Sequence, residues 1–286
     1  MQAGRLHDEN GGAIMVRKLL PTMLVVLAVA ASASAQTAPR HRWQTGQVLV
    51  YKTAHATQVI DIVEDAKVET KSQVNVTKRW RVADVDAQGI ATLELSLLAL
   101  RIEQTTPKGD TLLFDSANPD KSDPDMRKQL SSFVGPTLAV LRLDAAGKLV
   151  EVKESKFGPA SRFENELPFI VVLPPALPQA NQTWDRAYKI TQTDTFDAVQ
   201  HYTCKAVTAA ALTISLTTEL KAPPEAVADR VPLLQLLPEG EVVFDVQNGR
   251  MHSAALKIDK ELKGHNGEGS SYRFVSNYTE QYVGDK

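Results

Sequence analysis

Beyond Trp43 the chain is dominated by a period of two. Val74, Val76, Trp80 and Val82 share one parity, and Asn75, Thr77, Arg79 and Arg81 share the other. Leu93, Leu95 and Leu97 alternate with Thr92, Glu94 and Ser96, and Leu212, Ile214, Leu216 and Leu220 with Thr213, Ser215, Thr217 and Glu219. Alternation of this kind gives each strand one apolar face and one wet face. Antiparallel sheets read this way, whereas strands of parallel α/β sheets read as continuous apolar runs. Turn residues punctuate the pattern. Asp86-Ala87-Gln88-Gly89 and Asp144-Ala145-Ala146-Gly147 each end on a glycine, and Gln247-Asn248-Gly249 predicts a hairpin with a type I′ turn. Residues 264–269 (GHNGEG) read as a flexible hairpin tip, with His265 solvated. Helix is scarce. Residues 123–133 offer Asp123 as N-cap with Pro124 at the first helical position, and 224–237 hold a second short helix interrupted at Pro232.

The two halves resemble one another. Trp43 and Tyr51 are echoed by Trp184, Tyr188 and Ile190, strand 91–97 by 212–218, and the hairpin at Gly147 by that at Gly249. Pro159, Pro168, Pro174, Pro175 and Pro178 separate them. The expected fold class is mainly β: two similar antiparallel curved-sheet units, half-barrel or sandwich, with one or two short helices. The first unit covers 36–158, a Pro-rich linker 159–180 and the second unit 181–286. The run 169–173 (FIVVL) is too apolar for a free linker and is expected to pack on one of the sheets.

The region before residue 36 has a different character. Residues 19–35 (LLPTMLVVLAVAASASA) are almost entirely apolar or small, follow Arg17-Lys18 and close on Ala33-Ser34-Ala35. A basic flank, a short apolar run and an A-x-A site predict a signal peptide cleaved between Ala35 and Gln36, with Met15 as its natural start. The apolar run is shorter than the ~20 residues that span a bilayer. Export to the periplasm or beyond is expected, with no transmembrane anchor after processing.

Composition narrows the partners. A net charge of −2 over 286 residues leaves no cationic excess for phosphate, so nucleic acid is not an expected partner. Cys204 is the only cysteine, and it lies three residues from His201. On a strand that spacing points the thiol and imidazole to opposite faces, which argues against a Cys/His nucleophile. Asp120, Asp123 and Asp125 could offer oxygens to Ca²⁺, but their order is not that of an EF-hand, and a solvated loop capping the helix is the simpler reading. No catalytic residue and no cofactor is expected. Trp80, Tyr272, Phe274, Tyr278 and Tyr282 remain. The four on the closing strand share a parity, and the set reads either as sheet core with hydroxyls at the rim or as the wall of an apolar ligand cleft.

The leader, Trp43-x-x-Gly46 running into Val48-Leu49-Val50-Tyr51, the prolines before Asn181-Gln182-Thr183-Trp184, and the closing Ser271-Tyr272-Arg273-Phe274 and Tyr278-Thr279-Glu280 form a pattern. Over roughly residues 43–283 it resembles an uncharacterised family of secreted β-rich proteins common in planctomycete-type bacteria. The resemblance implies export and a β fold and no reaction, cofactor or catalytic residue. The functional expectation is a non-catalytic binding or carrier module for an apolar small molecule, lipid or envelope component. An envelope structural or interaction protein with filled cores is the alternative, and a hydrolase of unknown substrate the second alternative.

Overall fold

The computed structural model describes residues 38–285 except 65, 157, 192 and 193. The predicted leader and the Ala35–Gln36 cleavage point lie outside the described residues. Among the described residues the chain forms β1 (Val48–Val63), β2 (Ala66–Val85), β3 (Ala91–Thr105), β4 (Thr111–Asp115), β5 (Thr137–Leu143) and β6 (Leu149–Ser155). After a non-strand crossing come β7 (Thr183–Thr191), β8 (Thr195–Val207), β9 (Ala211–Leu220), β10 (Glu239–Asp245), β11 (Arg250–Lys263) and β12 (Ser271–Gly284). The class is mainly β and antiparallel, as the alternation requires.

All twelve strands belong to one open sheet in the order β6-β5-β3-β2-β1-β12-β11-β10-β9-β8-β7, with β4 on the second half of β3. The chain steps outward from β1 to β6, crosses to β7 and steps back until β12 pairs with β1 along thirteen residues, Val50↔Gly284 to Ile62↔Ser271. The alternation holds in detail. Leu93 and Leu95 of β3, and Leu212, Ile214 and Leu216 of β9, are buried on one side of the sheet.

The two expected units are therefore not separate bodies. Residues 36–158 and 181–286 share one sheet, one compact unit and one apolar core containing side chains of β1, β2, β3, β5, β8, β9, β10 and β11. The centre of that core is the segment read as a linker. Phe163, Leu167, Phe169, Ile170, Val171 and Leu173 are each 5% exposed or less. Phe169 meets the Trp80 ring at 5.1 Å, and the Tyr202 hydroxyl donates to the Ile170 carbonyl at 3.0 Å. The Trp184 indole donates to the Val172 carbonyl at 2.8 Å, and the Leu173 amide to Ala146 of the β5–β6 turn at 2.8 Å. The segment thus packs on both wings rather than on one. A sheet with an apolar face must cover it, and with so little helix the mid-chain segment becomes the plug. Its buried carbonyls find partners in side chains because no strand pairs with it.

Residues 40–43 run across two hairpin tips. The His41 amide donates to Ala145 and the Arg42 amide to Gly249. The second tip is a hairpin but not a type I′ turn. Asn248 is not among the residues with positive φ; only Gly249, at 63°, adopts it. The loop has four residues between the paired Asp245 and Arg250, and the Asp245 carboxylate accepts from the Asn248 amide and side chain. The predicted helices are present but short. Helix α1 (Pro124–Leu130) is capped by Asp123, which accepts from the amides of Asp125 and Met126. Helix α2 (Val227–Arg230) is one turn, continued by a 3-10 segment, Val231–Leu236, that absorbs Pro232. No helix among the described residues is long and apolar enough to cross a membrane.

Candidate functional site

Strand β2 shows where the plug stops. Its inward parity is Val74, Val76, Lys78, Trp80 and Val82. Trp80 and Val82 lie in the plugged core, whereas Val74 and Val76 face an open cavity of about 1050 Å³. Leu97, Leu100 and Ile102 of β3 and Leu256 and Ile258 of β11 continue the apolar wall. Tyr188 and Ile190 of β7, with Leu236, line the opposite side, and Leu130 at the end of α1 and Phe133 in the 3-10 turn after it also contribute. Glu166, Leu167 and Ile170 of the plug also line it. The short helical pieces thus take part in the concavity that the curved sheet leaves unfilled on this face.

A buried ionic cluster stands where plug and wall meet. The Lys78 ammonium lies 2.6 Å from Glu280 Oε2 and 2.9 Å from Glu166 Oε1, and it donates to the Leu167 carbonyl at 3.1 Å. The Tyr278 and Thr53 hydroxyls both donate to Glu280 Oε2, at 2.5 and 3.2 Å. Arg162 approaches Glu166 at 3.6 Å. Burial alone would lower the Lys78 pKa, but Glu166 and Glu280 outweigh it and hold the ammonium well above its ordinary range. Burial alone would raise the Glu166 carboxyl, yet Lys78 and Arg162 keep it below the usual value. Burial raises the Tyr278 phenol. The Lys78–Glu166 pair is charged at neutral pH, and the cluster ties the plug to β2 and β12.

Further along the same wall, His55 Nε2 and Ser276 Oγ are 2.9 Å apart, and burial lowers the His55 pKa from its ordinary value. On the opposite side of the sheet, small outward residues, among them Ala54, Ala99 and Ala255, leave a shallower hollow of about 680 Å³.

The structure distributes the sequence-predicted residues unevenly. Tyr278 lines the cavity. Trp80 does not, because the plug covers it completely, and it is 0% exposed. Tyr282 packs edge-on to Tyr51 under the Arg250 guanidinium. Tyr272 and Phe274 continue the Tyr278 parity toward the β11–β12 loop, beyond the cavity lining, and Tyr272 packs against His265. His265 is not solvated as its Gly-rich setting suggested. Its side chain is 10% exposed and approaches Asp61 at 3.0 Å without a well-aligned hydrogen bond. Asp123 is occupied as the α1 cap, Asp125 is exposed, and Asp120 points to Arg127 at 3.8 Å. No group of three or more metal-type side chains converges among the described residues. Cys204 is buried in the core, while His201 sits on the outer face between Asp185 and Glu219.

Sequence reading missed Lys78, Glu280 and Glu166. The signal was present for two of them. Lys78 falls on the parity of Val76 and Trp80, and Glu280 on that of Tyr278 and Tyr282. A charge at an inward position needs a buried partner.

No family model matches the chain. No curated protein matches it either. Among solved structures, a lipovitellin structure described by its lipid–protein interactions is similar at 13% identity and a TM-score of 0.43, covering 85% of this chain and 26% of that one. The present chain therefore spans about a quarter of that relative. DynF, from the dynemicin biosynthesis pathway of Micromonospora chersina, is similar at 8% identity and a TM-score of 0.26, covering 88% and 92%. An outer-membrane channel from Pseudomonas putida F1 is similar at 7% identity and a TM-score of 0.21, covering 85% and 97%. At such scores none of the three bears on the function of this chain.

Proposed function

We propose that this protein is an exported, non-catalytic binding or carrier module whose ligand occupies the cavity between the curved sheet and the plug. One observation carries the reading: the inner face is filled around residues 163–173 but left open beyond Lys78, with apolar side chains lining the space. Its volume lies just above the range of about 300–1,000 Å³ found for ligand pockets. A purely structural protein would be expected to fill that face, since unfilled apolar volume destabilises a fold. Export is supported by residues 19–35. An ancient duplication is supported by the strand order. The matched features fall on β1 and β7, on β3 and β9, and on the β5–β6 and β10–β11 hairpins, which occupy equivalent places along the two wings.

Nile red, a neutral apolar dye, tests the reading. Titration should give a saturable fluorescence increase at one site per chain. Val74→Trp, which puts an indole into the open part of the wall, should weaken that binding by about tenfold or more while leaving the circular dichroism spectrum unchanged. No saturable binding to the wild-type chain, or an unchanged affinity in the folded variant, would remove the proposal.

A further inference from the structure

The charges inside the cavity decide which class of ligand it accepts. Five charged residues contribute to the lining: Lys78, Arg162, Glu166, Lys189 and Lys257. Two of them do not present their charge inward. Lys189 and Lys257 sit on the outward parity of β7 and β11, between buried or half-buried neighbours, and pair outside with Asp197 at 3.0 Å and Glu239 at 3.4 Å. The remaining three join Glu280 in a chain of alternating sign. Arg162 meets Glu166, Glu166 meets Lys78, and Lys78 meets Glu280. Two positive and two negative groups cancel, and Lys78 is already held by two carboxylates and a carbonyl. An anionic headgroup drawn into this space would find its cations engaged and two carboxylates close by. Burying an uncompensated charge there is strongly unfavourable.

The same wall keeps one hydrogen-bond donor in reserve. Burial keeps His55 neutral at pH 7, so it carries one N–H, and Ser276 carries one O–H. Their mutual bond uses one of these two protons, whichever tautomer is present. One donor is left over, flanked across the neighbouring strands by Val74 and Ile258. Resting on the binding reading of the cavity, we infer that its ligand is an uncharged lipid bearing an oxygen acceptor, an ester, ketone or alcohol, bonded at the His55–Ser276 pair.

Displacement of Nile red by three twelve-carbon probes tests this: methyl dodecanoate, dodecanoate and dodecane, at pH 8 and below micelle-forming concentrations. The ester should displace the dye at a concentration about tenfold or more below that needed for the carboxylate. Either single variant, His55→Phe or Ser276→Ala, retains one donor and should keep the preference for ester over dodecane. The double variant has neither donor and should lose that preference. Dodecanoate binding as tightly as the ester would overturn the inference, a comparison that needs no variant to fold. An ester preference persisting in the folded double variant would overturn the assigned bonding pair. If neither Nile red nor any probe binds the wild-type chain, the binding reading itself fails, and the ligand class with it.

Discussion

Lys78 condenses the physics of this protein into one side chain. It is a lysine on the core-facing parity of β2, 6% exposed at the side chain, opposite Glu280 at 0%. Removing such charges from water is unfavourable, and their attraction offsets this only when geometry is good and the remaining donors are satisfied. Here all the partners converge. Two carboxylates, the Leu167 carbonyl and the Tyr278 oxygen surround the ammonium. Lys78→Met removes the ammonium and leaves Glu280 buried without it, so urea denaturation should show a loss of about 3–5 kcal/mol. Pairing Lys78→Met with Glu280→Leu should lose less than the single change, because no uncompensated carboxylate remains on β12. A single-variant loss within experimental error of zero would show that the cluster contributes nothing to stability. Half of this was legible beforehand. The period-two pattern marks Lys78 and Glu280 as inward, but it cannot say that residues two hundred positions apart meet, since that follows from the β1–β12 pairing. Glu166 was not legible at all, because it lies in a segment with no period.

At the scale of elements, the sequence spoke most clearly through strands and turns. Alternation predicts the faces of β2, β3 and β9, and Asp123 with Pro124 predicts the start of α1. The hairpin at Gly249 was found for the right residue and the wrong turn. Asp245 organises a four-residue loop in which Gly249 alone takes positive φ, and there the glycine does a second task. A Cβ on Gly249 would lie 2.7 Å from the Arg42 amide nitrogen and 2.8 Å from the Arg40 carbonyl oxygen. The chain crossing this tip approaches backbone to backbone. Gly249→Ala should therefore destabilise by about 1–3 kcal/mol, from overpacking together with the strained φ, measurable as a lowered Tm. An unchanged Tm would mean that residues 40–43 do not rest on the tip. Nothing in the local sequence around Asn248-Gly249 announces the second constraint, because its source lies two hundred residues away.

For the whole molecule, the decisive fact is that one core serves both wings. Side chains from β2, β5 and β9 meet around residues 163–173, so neither half can keep its apolar face covered without the other. The described chain should consequently unfold as one unit. Calorimetry should give a single peak whose calorimetric and van't Hoff enthalpies agree. Two resolved transitions assigned to 36–158 and 181–286 would show that the halves fold independently after all. The apolar run 169–173 already signalled burial. What it could not signal was that its neighbours would be Trp80 from one half and Tyr202 from the other.

By itself the sequence determined the material of this protein: antiparallel strands with one dry face, turns at glycine and aspartate, and little helix. These are local properties, fixed by which side chain follows which along the backbone. The tertiary structure alone decided that two expected units become one sheet, that a proline-rich crossing becomes the plug, and that the plug ends at Lys78 and leaves a cavity beyond it. Such outcomes depend on closing β12 against β1 and on filling the concave face with whatever chain remains. Period and spacing carry no record of how much of that face the remaining chain will cover.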